Sequence, residues 1–159
     1  MTMEWTREEF AAAVTEHGRR MYRAARAVLD SDADAEDAVQ EVFLRLLTAP
    51  VSFRDAGHEK AWLIRTTLHR ASDIRRRAEG RNLPLEEAVQ VAAPEPGLEL
   101  LQAVQALPEQ YSAVIHLYYY EGYSIKEIGK LLGLPAATAG TRLARGRERL
   151  RALLKEEIT

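Results

Sequence analysis

The sequence predicts an all-α protein built as two small helical domains joined by a linker. Three observations predict it. Apolar residues recur at helical spacing from Phe10 to Leu154, and strand signals are poor throughout. Ala, Leu, Arg and Glu, all good helix formers, dominate the 159 residues. Gly80–Gly97 breaks the pattern with three Pro and two Gly, the composition of a connector. The expected division is residues 1–79, a linker 80–97, and residues 98–159. Each domain lies near the lower size limit for a self-sufficient core.

Thr6 with Glu9 has capping-box spacing and opens a first helix expected to reach about Leu29. Phe10, Val14, Met21, Ala25 and Val28 form its apolar stripe. Asp30–Asp34 connects it to a second helix. Asp34 is the expected cap there, and Glu36 and Asp37 lie in the first turn, where the helix dipole favours anions. This helix ends before Pro50. Its buried stripe is Ala35, Ala38, Val39, Val42, Phe43 and Leu46. Asp37, Gln40, Glu41 and Leu44 lie opposite. A Leu among exposed carboxylates is the pattern of an interface anchor, with the acids steering a basic partner. A solvated acidic face with one stray Leu has the same pattern.

A loop through Phe53 and Gly57 leads to a third helix, roughly Glu59 to Ala78. Ala61, Ile64, Leu68, Ala71 and Ile74 form its core stripe. At about 100° per residue the other side collects Trp62, Arg65, Thr66, His69, Asp73, Arg76 and Arg77. An exposed Trp beside Arg and His suits unstacked bases, where stacking combines with phosphate neutralisation. The alternative is that Trp62 packs under the Phe53 loop and the Arg residues are solvated. Helices resume near Leu98, then at Pro108 to Tyr120.

The stretch Glu121 to Arg151 reads EGYSIKEIGKLLGLPAATAGTRLARGRERLR, the pattern of a helix-turn-helix. Ser124 and Glu127 form a capping box. Ile125, Ile128, Leu131 and Leu132 give the buried stripe. Gly133 can take the left-handed conformation that ends a helix, and Pro135 suits the next helix start. On the following helix Ala139, Leu143, Leu150 and Leu154 share one side. Thr138, Thr141, Arg142, Arg145 and Arg149 cluster within roughly a 100° arc of another. Arginine and hydroxyl side chains reach phosphates and base edges, so this helix is expected to enter a DNA major groove.

Net charge is −2 and the pI about 6.1, but charge is segregated along the chain. Thr138–Arg151 has five Arg and one Glu, and Lys60–Arg81 has seven Lys or Arg against Asp73 and Glu79. Asp30–Glu41 has six acids and no base, and Asn82–Ala106 has four Glu and no base. Two basic and two acidic patches imply several different partners. No Cys is present, which excludes disulfides, thiolate zinc sites and Cys nucleophiles. There is no secretory signal and no membrane-length apolar run, so the cytoplasm is the expected compartment, with no membrane insertion. No Ser/His/Asp order, paired catalytic acids or Gly-rich phosphate loop is found. His17, His58, His69 and His116 share no metal-ligand spacing. The expectation is a non-enzyme without cofactor, metal or catalytic residues.

Taken together, DAEDAVQEVFLRLL (34–47), the Phe53 loop, AWLIRTTLHRASDIRRR (61–77) and ALPEQYSAVIHLYYYEGYSIKEIGKLLGLPAAT (106–138) followed by RLARGRERLR (142–151) resemble the extracytoplasmic-function (ECF) family of bacterial RNA polymerase sigma factors, within the sigma-70 superfamily. The resemblance covers nearly the whole chain apart from the linker. It implies a region 2 bundle in front and a region 4 helix-turn-helix behind. The face of Asp37, Gln40, Glu41 and Leu44 then looks like the docking surface for the clamp helices of the largest subunit of core RNA polymerase. Trp62, Arg65, His69, Asp73, Arg76 and Arg77 look like the part that opens and reads the promoter −10 element. Thr138, Thr141, Arg142 and Arg145 look like the −35 reader, in a domain that also contacts the flap of the second large subunit. The acidic linker is implied to thread the polymerase interior. An anti-sigma factor is an implied partner, and no further C-terminal domain is expected.

The chain departs from the family pattern at several positions. His69 stands where Asn is usual and Ser112 where a basic residue is common. Ala139 and Gly140 replace Val and Lys, and Gly146 replaces Ala. Two helix-interior Gly and a lost Lys predict a weaker −35 reader. A DNA-binding regulator with a similar helix-turn-helix and no polymerase docking is the alternative. The front half, which lacks a ligand-pocket or phosphoacceptor pattern, argues against it.

Overall fold

The computed structural model describes residues 6–48, 52–80 and 98–158. Among these, seven α-helices and one π-helical turn are found, and no strand. They are α1 (Arg7–Val28), α2 (Asp32–Thr48), α3 (Ala56–Gly80), α4 (Leu98–Ala106), α5 (Glu109–Ile115), the π turn His116–Tyr120, α6 (Ile125–Leu132) and α7 (Ala136–Ile158). The linker residues 81–97 lie outside the described structure.

α1, α2 and α3 pack mutually as a front bundle, and α5, α6 and α7 form the back unit. One front core gathers Met21, Val42, Phe43, Leu46 and Leu63, with Phe10, Val39, Phe53 and Trp62 at its edge. A second core is shared. Ala24, Val28, Leu68 and Ala71 of the front are continuous with Leu107, Tyr111, Leu117, Ile128 and Leu143 of the back. The two units therefore bury apolar surface against each other as well as internally, which raises the fraction of surface that so small a chain removes from water.

The helix starts follow local chemistry, with two shifts from expectation. Thr6 accepts the Glu9 amide at 3.1 Å, which is one arm of the anticipated box. α2 is capped by Ser31 and not by Asp34: the Ser31 hydroxyl accepts the Asp34 amide at 3.2 Å, and the Ser31 carbonyl accepts from Ala35. The helix thus begins three residues earlier, with Asp32 held by Arg26 and Tyr22 of α1. α3 also begins early, because Asp55 accepts the His58 amide at 2.8 Å and caps it. The expected stripes need correction at their edges. Val14 and Ile125 are exposed, while His17 is buried on α1. α3 contacts both α1 and α2, so its buried face is wider than one stripe and includes Leu63, Thr66 and Thr67.

Candidate nucleic-acid interface

The helix-turn-helix is set by its cap and its turn. Ser124 and Glu127 exchange both arms of the box, at 3.1 and 3.0 Å. Gly133 has φ +71°, and Leu134 donates to the Gly129 carbonyl at 2.7 Å. These bonds satisfy the last carbonyls of α6 and aim α7 across it. Ala139 and Leu143 are buried against the back core, which leaves the arginine side of α7 outward.

The structure divides the arginines of α7. Arg147 lies over the rings of Tyr118 and Tyr119 and donates to the Tyr119 hydroxyl at 2.5 Å. Arg149 lies over Tyr111 at 4.8 Å. Both are held on aromatic faces, a favourable cation–π arrangement. Arg142 and Arg145 are placed differently: with Thr138, Thr141, Gln110 and Tyr111 they line an open groove of about 380 Å³. All four predicted residues of this helix are therefore brought together. Gln110 and Tyr111 join them from α5, which no periodicity within α7 could reveal. Of the α7 departures from the family pattern, Ala139 and Gly146 are buried and Gly140 is partly open.

On α3, Arg65, His69, Arg76 and Arg77 are exposed and Asp73 half-exposed. Arg76 donates to Asp73 at 2.7 Å, which fixes one guanidinium along the helix. Partial burial and the Arg65 charge push the His69 imidazole below its ordinary value, so it is neutral at pH 7. A neutral imidazole can donate to or accept from a base edge. Trp62 is not the free aromatic that the helical wheel implied. It is half-buried, with its ring 5.7 Å from that of Phe53. Thr66 is buried and leaves the face altogether.

On α2, Asp37, Gln40, Glu41 and Leu44 are all exposed, with Leu44 at 59%. They border a surface depression with Arg70, Ile74 and Arg77 of α3. Arg70 is a participant the sequence reading missed. It pairs with the Glu41 carboxylate through two nitrogens, and that bond raises the Arg70 pKa. Its signal was present as an unpaired base on α3 opposite the acids of α2. The acidic face is thus partly neutralised from within, while among the described residues Asp37 has no ion-pair partner. A cleft of about 320 Å³ between the front and back units is lined by His69, Ser72, Glu109 and Arg142, among others.

Among the described residues no group of three or more His, Asp or Glu could hold a metal ion. No helix among them is long and apolar enough to cross a membrane.

Two families match the sequence: Sigma-70 region 2 over residues 13–82, and Sigma-70, region 4 over residues 97–150. The ECF RNA polymerase sigma factor SigM of Mycobacterium tuberculosis is 32% identical over 143 residues, which cover 87% of this chain and 73% of SigM. SigW of Bacillus subtilis is 32% identical, covering 94% of this chain and 90% of its own. SigE of Mycolicibacterium smegmatis is 34% identical, and the chain spans 60% of its length. The fold is similar to that of the sigma factor RpoE from Bartonella quintana, solved with the anti-sigma factor NepR, at a TM-score of 0.76 and 21% identity over 93% of this chain and 98% of RpoE. With two sigma-70 regions in this order and these relatives over most of its length, the chain belongs to the ECF family of RNA polymerase sigma factors.

Proposed function

We propose that this chain directs RNA polymerase to promoters as an ECF sigma factor, with residues 1–79 as the polymerase-docking and −10 domain, 80–97 as the linker and 98–159 as the −35 domain. The observation that carries the reading is the division of the α7 arginines. Two are held on tyrosine rings, while Arg142 and Arg145 line one open groove with Thr138, Thr141 and Gln110. That groove offers a bidentate donor set suited to phosphates and guanine edges.

The −10 contact falls to α3. Arg65, Arg76 and Arg77 supply charge along a single strand, and neutral His69 supplies a base-edge bond. Trp62 braces the Phe53 loop and offers its remaining open side for stacking. The face of Asp37, Gln40, Glu41 and Leu44 docks on the clamp helices of core polymerase. Leu44 is its apolar anchor, and Glu41 is oriented by Arg70. The back unit also meets the flap. An anti-sigma factor is a further partner, as in the RpoE–NepR pair. The setting is the cytoplasm, and the protein acts by binding, not by catalysis.

The test is transcription in vitro with core polymerase on a library of promoter fragments. Initiation at a defined subset, with co-purification of core polymerase, supports the reading. Duplex binding without core association would establish the helix-turn-helix regulator instead.

A further inference from the structure

α5 and α7 pack closely where α7 carries no side chain. A Cβ at Gly146 would meet Ile115 at 3.2 Å and Tyr111 at 3.4 Å, so the bare backbone there lets α5 approach. Tyr111 is left only 5% exposed, in the wall of the groove that Thr138, Thr141, Arg142 and Arg145 line. The phenol meets two arginines one turn apart on α7. Its ring lies under the Arg149 guanidinium, 4.8 Å from the ring centre. Its hydroxyl faces Gln110 and Arg145. The Gln110 amide holds that hydroxyl below its usual value of 10, Arg149 and Arg145 act in the same sense, and burial opposes them. Among the described residues the arginines that pair with carboxylates are Arg20, Arg26, Arg70, Arg75 and Arg76. No acid therefore holds Arg145 or Arg149, and Tyr111 is the group that meets both.

We propose that Tyr111 is a positioning residue of the −35 reader, setting Arg145 through its hydroxyl and Arg149 through its ring without itself touching DNA. The proposal rests on the −35 reading of the groove. An arginine side chain has many rotamers, and ordering it on binding costs free energy. A phenol buried in the α5–α7 crossing settles that ordering before DNA arrives. Its ring has a further effect. Arg145 and Arg149 are like charges four residues apart on one helix, an arrangement that repels. The electron-rich face of Tyr111 offsets that repulsion and keeps Arg149 beside Arg145.

The test is a double-mutant cycle on the full chain. Binding is read by fluorescence anisotropy on a duplex carrying the −35 element of a promoter that the holoenzyme selects from the fragment library. Tyr111→Phe keeps the ring and its packing and removes only the hydroxyl. It is expected to weaken binding about threefold to tenfold, the cost of ordering one long side chain. The salt slope is expected to stay unchanged, because no phosphate contact is lost. Arg145→Ala is expected to weaken binding and to lower the slope by about one. In the Arg145→Ala background, Tyr111→Phe is expected to cost nothing further. Equal affinity of wild type and Tyr111→Phe, a lowered slope in Tyr111→Phe, or additive losses in the double variant overturns the proposal. If no promoter is selected, or the wild type ignores the −35 duplex, the −35 reading fails instead. Nuclear magnetic relaxation of the arginine side chains in the free protein then decides the positioning. The Arg145 Nε–H is expected to be rigid in the wild type and mobile in Tyr111→Phe, with Arg149 unchanged, and Tyr111→Leu is expected to free both. Equal Arg145 mobility in wild type and Tyr111→Phe overturns the proposal.

Discussion

Gly140 and Gly146 both interrupt α7, yet their surroundings give them different roles. A Cβ at Gly140 would meet only Ile125, at an ordinary 3.7 Å. A Cβ at Gly146 would meet Ile115 at 3.2 Å and Tyr111 at 3.4 Å, where α5 crosses α7. Ala in place of helix-interior Gly gains up to about 1 kcal/mol from propensity alone. Gly140→Ala is expected to realise that gain and Gly146→Ala to lose part of it to crowding, so thermal denaturation should rank Gly140→Ala the more stable. Gly140→Lys also adds a phosphate contact. It is expected to tighten binding to −35 duplex and to steepen the salt dependence by about one unit. Unchanged affinity and slope in a titration across salt concentrations would refute that role. Gly129 is the opposite case: a Cβ there would lie 2.7 Å from the Leu134 carbonyl oxygen, inside the turn itself. Gly129→Ala is expected to cost about 1–3 kcal/mol, seen as a lower denaturant midpoint, because backbone and not a flexible side chain must move.

The faces of α2 and α7 show what a helix can and cannot disclose from its own sequence. On α2, period alone separated the buried stripe from Asp37, Gln40, Glu41 and Leu44, because both belong to one helix. Leu44→Arg is expected to weaken core-polymerase binding about 30-fold or more, as loss of a central apolar anchor does, with the melting temperature unchanged. Equal affinity in a competition assay would remove Leu44 from the interface. The capping box and Gly turn before α7 were equally legible, since each is a contact between residues three or four apart. What escaped the sequence was contact between helices. Arg70 meets Glu41 across 29 positions, and Arg147 meets Tyr119 across 28. Gln110 and Tyr111 complete the α7 groove from another helix. For Trp62 the helical wheel left two readings open, a free ring or one packed under the Phe53 loop, and the contact between the two rings in the folded chain selects the second. Ser31 displaced Asp34 as a cap because several capping residue types were adjacent, and the Arg26–Asp32 pair of the folded turn decided among them.

At the scale of the molecule, two units that are each small for an independent core share one that runs from Ala24 to Leu143. The free protein is therefore expected to melt in a single transition, with calorimetric and van't Hoff enthalpies equal. Two resolved transitions would mean independent units. Part of that joint stability is electrostatic and carries a definite pH dependence. Burial alone would raise the Glu121 carboxyl, but His116, Arg20 and Lys60 outweigh it and hold Glu121 below its ordinary value of 4.5. A carboxylate lowered on folding contributes fully above its unfolded value and loses that contribution as pH falls through the lowered folded one. The melting temperature of the wild type should accordingly drop more steeply between about pH 5 and pH 3 than that of Glu121→Gln, which has no charge to lose. At pH 7 the order is fixed by the same term: Glu121→Gln should melt at the lower temperature, and the two curves should converge as the medium becomes acid. Parallel curves across that range would show that the charge of Glu121 does not help hold the two units together.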